Sequence, residues 1–264
     1  MNPLFFGPSD GPLYGVYHPP KARIARETGV VLCAPFGQEY MRAHRAYRQL
    51  SLLAAKQGYH VLRFDYTGAG DSAGDGEDFS IERAIQDTGL AIEELCDAAD
   101  VKSVLLLGLR LGGLIAMRSA AARTEVSHLI LWDPITDGVA YLQELLADAS
   151  TRSQSYGSVS ASGTVVGVVG VMGYPVSASL CDELARESGR TPPISRLRGG
   201  MVICTEDRPE HHALARQLSG ESGSVTFQHA PIQGRWDEVD NWGSAMIPQA
   251  AIQAIVGRMV GEVP

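Results

Sequence analysis

The stretch that decides the fold is Val104-Leu105-Leu106-Leu107-Gly108-Leu109-Arg110-Leu111-Gly112-Gly113. An apolar run, a Gly-x-Arg-x-Gly turn and the apolar continuation Leu114-Ile115-Ala116-Met117 predict a buried strand, a sharp turn and a helix from Leu111 to Arg123. Glycines on both sides of one central residue are the layout of a nucleophile elbow, G-x-S-x-G, in which a strained strand-to-helix turn presents a serine hydroxyl. Here arginine stands in the serine slot. A guanidinium stays protonated at any ordinary pH and cannot attack a carbonyl. The backbone pattern and the side chain therefore point in opposite directions.

Outward from this stretch, apolar β-branched runs alternate with helical patterns. Strands are expected at Leu13–His18, Val30–Pro35, His60–Tyr66, Ser103–Leu109, His128–Asp133, Met201–Glu206 and Val225–His229, with helices such as Arg42–Lys56, Ile81–Ala98 and Glu210–Gly220 between them. This alternation predicts an α/β fold with a mainly parallel sheet of about eight strands covered by helices on both faces. The rhythm breaks between Asp133 and Met201, where no good strand is visible. A helix, a Ser-rich loop (Thr151 to Ser162), a Gly/Val-rich stretch and a second helix follow one another there. So long an insertion reads as a small helical cap over residues 137–197, with residues 1–136 and 198–264 as the core.

Composition excludes several classes. At 264 residues, 45% hydrophobic and 20% charged, the chain suits one large globular domain. A net charge of −8 argues against nucleic acid or an anionic membrane as a main partner. No signal-peptide pattern and no apolar run of membrane-spanning length is seen, so a cytoplasmic location is expected. Cys33, Cys96, Cys181 and Cys204 are widely separated and show no metal-ligand spacing. No metal and no cofactor is expected. His211-His212, adjacent in sequence, reads as a structural surface pair.

Two further motifs join the elbow. Cys33-Ala34-Pro35-Phe36-Gly37-Gln38-Glu39 leaves the end of a strand, and Asp65-Tyr66-Thr67-Gly68-Ala69-Gly70-Asp71-Ser72 forms a strand-end D-x-x-G-x-G-x-S turn. With these three motifs in this order, the chain resembles the α/β-hydrolase superfamily over nearly its whole length, and in particular bacterial serine-aminopeptidase-like hydrolases, including exosortase-associated ones. The resemblance implies an oxyanion loop at Cys33–Glu39 and a triad in the order Ser, Asp/Glu, His. The acid slot has candidates: Asp133 at one strand end, Glu206 and Asp207 at the next. The histidine slot, Gly234 to Asp237, holds no histidine, and His229 lies too early, inside the strand. Two of three triad members are thus missing, which removes the nucleophile and the usual proton carrier together.

Three readings follow. In the first, the old active site binds an anionic or acyl-type small molecule. Arg110 and the Leu111 amide at a helix N-terminus would receive the anion, Phe36, Gly37 and Gln38 would line the site, and Trp236 would form a wall. Alternatively Arg110 only pairs with Asp133, Glu206, Asp207 or Glu39 and plugs the pocket, since a cation at a helix N-terminus needs a carboxylate. In the second reading, a hydrolase or acyltransferase of esters or thioesters works through a non-standard set, with Glu39, His44, Asp133 and Asp207 as acid–base candidates and Arg110 as electrophilic stabiliser. Cys33 and Cys204 read better as buried small hydrophobes than as nucleophiles. The third is a non-catalytic scaffold or interaction protein. A homodimer is an assembly open to all three readings.

Overall fold

Strand β5 (Ser103–Leu109) shows how the core is built. Val104 and Leu106 join the apolar cluster on one face of the sheet, and Leu105, Leu107 and Leu109 join the cluster on the other. A strand covered on both faces has no polar side, which is why this segment reads as an unbroken apolar run. The computed structural model describes residues 1–152, 158–159, 165–166, 168–220, 224–232, 234–236 and 246–262.

Eight strands form one sheet in the order β1 (Asn2–Phe6), β2 (Leu13–His18), β4 (His60–Phe64), β3 (Thr28–Cys33), β5, β6 (Val126–Trp132), β11 (Gly199–Cys204) and β12 (Val225–His229). β2 is antiparallel to both β1 and β4, and every other pairing in the sheet is parallel. This is the α/β-hydrolase architecture that the motifs imply. Helices α1 (Gly37–Lys56) and α7 (Gln249–Glu262) cover one face, and α2 (Ile81–Ala99), α3 (Leu111–Ala122) and α6 (Pro209–Ser219) cover the other. Ser80 caps α2, its hydroxyl accepting from the Arg83 amide. No helix of the described residues is long and apolar enough to cross a membrane.

The structure departs from the sequence reading in three places. The strand β1 was not expected, because its alternation is weak and it carries Pro3; as the edge strand it has an open side where a missing N–H is tolerated. Helix α1 begins at Gly37 rather than Arg42, so Glu39 falls in its first turn, where a carboxylate suits the helix dipole. The segment between β6 and β11 is not purely helical. Between α4 (Gly138–Arg152) and α5 (Ala178–Glu187), β7 (Ser158–Val159) pairs with β8 (Val165–Val166), and β9 (Val168–Val171) pairs with β10 (Tyr174–Ser177). The β9–β10 hairpin turns on Met172 and Gly173, both at positive φ (54° and 88°), as a two-residue turn of the primed type requires. Much of the Ser-rich loop, with Tyr156, lies outside the described residues.

The turn between β5 and α3 fits only with glycine at its flanks. A Cβ on Gly112 would press into the carbonyl oxygens of Cys33 and Ala34 at the end of β3, and one on Gly108 into the Gly112 carbonyl. A Gly112→Ala variant is therefore expected to lose about 3 kcal/mol or more of stability, beyond ordinary overpacking because the clash is with backbone. Urea unfolding would measure this, and a loss under ~1 kcal/mol would contradict the close approach.

Candidate functional site

Arg110 links β5 to α3 at φ 51°, ψ −119°, a region that a non-glycine residue occupies only under strain. Its amide donates to the Trp132 carbonyl at 3.0 Å, and its own carbonyl accepts from the Gly113 amide at 2.9 Å. The elbow backbone is thus intact although its side chain is not a nucleophile.

The guanidinium is held by two carboxylates. Nε donates to Glu39 Oε1 at 2.7 Å and Nη2 to Glu144 Oε2 at 2.6 Å. The group also lies 5.2 Å from the Tyr141 ring centroid, and the Tyr141 hydroxyl donates to Glu39 Oε2 at 3.0 Å. Glu39 comes from the first turn of α1, whereas Tyr141 and Glu144, three residues apart, share one face of α4. Burial works against the charge on Arg110, but Glu39, Tyr141 and Glu144 outweigh it and hold its pKa above the ordinary guanidinium value. The two ion pairs differ in kind. The Glu39 side chain is 2% exposed and that of Glu144 38%. Stranding a buried partner costs about 3–5 kcal/mol, whereas an exposed pair contributes about 0.2–1 kcal/mol. Of the partners considered from sequence, only Glu39 touches Arg110; Glu144 was missed, because the phase of α4 against the elbow is a tertiary matter.

Asp133 ends β6 at φ 43° and is buried. Its Oδ1 accepts from the Thr205 amide at 2.6 Å and the Thr205 hydroxyl at 3.0 Å, and its Oδ2 accepts from Trp236 Nε1 at 2.7 Å. Burial raises the Asp133 pKa, and these donors oppose the shift. Trp236, itself buried, packs edge-on against Trp132 with centroids 5.1 Å apart. The indole is thus the donor on the Asp133 Oδ2 side of this carboxyl. Indole N–H only donates, so it cannot take a proton from a nucleophile. Gln233 and Asp237 of this loop lie outside the described residues.

A cleft of 220 Å³ opens beside these groups, lined among others by Arg110, Asp133, Tyr141, Glu144, His211 and Trp236. His211 corrects the sequence reading: it is buried and faces the cleft, and burial pushes its pKa below the usual imidazole value. Its neighbour His212 is half-buried, bonded to Asp207 at 2.6 Å and set against the Phe227 ring. Asp207 is therefore engaged at the surface, away from Arg110, and Glu206 pairs with Arg208. Phe36 packs on Phe79 and Tyr174, Gly37 and the half-buried Gln38 open α1, and Leu111 is wholly buried. None of these four lines the cleft. His44 is exposed, with its pKa lowered by burial of part of its ring and by Arg63. Burial pushes the Cys33 thiol up to about 12 and raises that of Cys204, so neither offers a thiolate.

The family described as "Serine aminopeptidase, S33" matches residues 25–156, half of the chain, with the elbow and the strand-end turn inside the match. The chain belongs to this family of α/β-hydrolases. Solved structures share its fold at low identity. A hydrolase from Agrobacterium vitis aligns at TM-score 0.61 and 18% identity over 100% of this chain and 98% of that one. The mouse alpha/beta hydrolase domain-containing protein 10 aligns at 0.57 and 15%, covering 97% and 96%, and the Pyrococcus furiosus esterase at 0.63 and 14%, covering 100% and 93%. No curated protein matches the chain in sequence.

In this α/β-hydrolase Arg110 thus stands between β5 and α3, and Asp133 after β6 is held by Thr205 and Trp236. Trp236→Phe removes one donor from ionised Asp133 and is expected to cost about 1–3 kcal/mol near neutral pH. The sign of its pH dependence follows from the raised pKa. Ionised Asp133 opposes folding, so stability falls as pH rises from the unfolded carboxylate range, about 4, through the folded pKa. Loss of the indole donor raises that pKa further, so the deficit of the variant should be smaller at about pH 4 than at about pH 7. Urea midpoints at the two pH values check this; a deficit larger in acid would contradict it.

Proposed function

We propose that this α/β-hydrolase binds a small carboxylate- or acyl-type molecule in the cleft beside Arg110 and performs no elbow-nucleophile hydrolysis. The observation that carries this reading is the guanidinium of Arg110 at the elbow, committed to Glu39 and Glu144. Such a group cannot form an acyl-enzyme, and Trp236 on Asp133 cannot relay a proton. What persists suits binding. The cleft is concave, Arg110 lines it, and it has an aromatic wall at Trp236.

An active-site serine probe such as a fluorophosphonate is expected to leave the protein unlabelled. The Arg110→Ser variant should label at least about 10³-fold more slowly than a working serine hydrolase, because no base accompanies the new hydroxyl. Stoichiometric labelling of the wild type at a single residue would overturn the reading.

A second reading rests on His211, a buried imidazole that lines the same cleft and whose pKa is lowered by burial. A neutral imidazole can act as a general base on water or a substrate, with Arg110 stabilising developing negative charge. Turnover of a short acyl thioester that disappears in His211→Gln while the fold persists would support it; absence of turnover across ester and thioester panels would favour the binding reading.

A further inference from the structure

Arg110 carries one positive charge and faces two carboxylates that differ in every respect that governs exchange. Glu39 is buried, set at the start of α1, and also receives the Tyr141 hydroxyl. Glu144 is more than a third exposed, and Arg110 Nη2 at 2.6 Å is its ion-pair partner. Glu144 also lines the cleft, so its carboxylate stands between Arg110 and the open space.

We propose that Glu144 occupies, in the unliganded protein, the place on Arg110 Nη2 that the carboxylate of a small-molecule acid takes on binding. The ligand class is then a carboxylic acid rather than a neutral ester or amide, and Glu144 competes with it. This rests on the reading of the cleft as a ligand site. The exchange is chemically balanced, since one carboxylate leaves the guanidinium as another arrives and no proton moves. The buried Glu39 pair stays in place and keeps Nε aimed, so the arriving group meets a donor already oriented. Tyr141, one turn earlier on α4, remains anchored to Glu39. The movement required is therefore a rotation of the Glu144 side chain out to solvent, not displacement of the helix. The cleft volume of 220 Å³ lies below the roughly 300–1,000 Å³ of ordinary small-molecule sites. Departure of the Glu144 carboxylate enlarges it on the side where the acid enters.

The test is a titration of wild type and Glu144→Gln with hexanoate and benzoate, and with hexanamide and benzamide as neutral counterparts, by calorimetry and by intrinsic tryptophan fluorescence. Glutamine keeps the shape of Glu144 and removes its charge at an exposed site, so the fold is retained; Glu144→Ala serves as the second variant. The expected result is binding of the carboxylates but not the amides, with affinity about three- to five-fold higher in both variants than in wild type. Carboxylate binding that is unchanged or weakened in the variants would overturn the role of Glu144 while leaving the ligand cleft standing. Amides binding as well as carboxylates would overturn the ligand class. Absence of binding in all three proteins would overturn this inference and the ligand cleft together, and the labelling experiment would still report separately on hydrolysis.

Discussion

Arg110 donates to a carboxylate, Glu39, that is almost wholly withdrawn from water, and its surroundings are arranged so that neither charge is stranded. A cation at the N-terminal end of α3 opposes the helix dipole, whereas Glu39 in the first turn of α1 complies with it. The pair joins these two helix starts across the carboxyl ends of β3 and β5. Tyr141 supplies a further donor to Glu39, and Glu144 takes the outer nitrogen of the guanidinium. Through these contacts α4, which lies outside the sheet, is bound to the same point. The residue that in a serine hydrolase would be exposed and reactive is here an anchor for three helices.

The elbow survives this change because its glycines serve packing as much as chemistry. Gly112 allows the start of α3 to approach the carbonyls that end β3, and Gly108 allows the turn to close on Gly112. A chain that abandoned the nucleophile would still need both. The motif therefore reports the fold, and its central residue reports the chemistry. At Asp133, just after β6, the carboxylate is likewise engaged, by Thr205 and by the Trp236 indole.

Legibility of the sequence followed that division. Central strands such as β5 and β6 could be read because burial on both faces writes itself as an apolar run. The Ser80 cap and the elbow could be read because they depend on neighbouring residues alone. Strand β1 is not legible in the sequence because an edge strand carrying Pro3 has little alternation, nor is the β9–β10 hairpin, because valine-rich runs broken by glycine match no single period. At the site, Glu39 could be named as a partner because it leaves a strand end near the elbow. Glu144 and the cleft-facing side of His211 could not, since both depend on how a helix is rotated against the sheet. That Trp236 bonds to Asp133 is equally hidden in the sequence, because the bond depends on how the loop after β12 packs.

The most direct test of the account is a double-mutant cycle on Arg110 and Glu39, using Arg110→Met and Glu39→Gln singly and together and measuring unfolding free energy in urea. The account predicts strong destabilisation by each single change and partial recovery in the double variant, with a coupling of about 2 kcal/mol or more. Additive effects, with coupling within about 0.5 kcal/mol of zero, would contradict the claim that the elbow has become the buried ion pair on which the site is built.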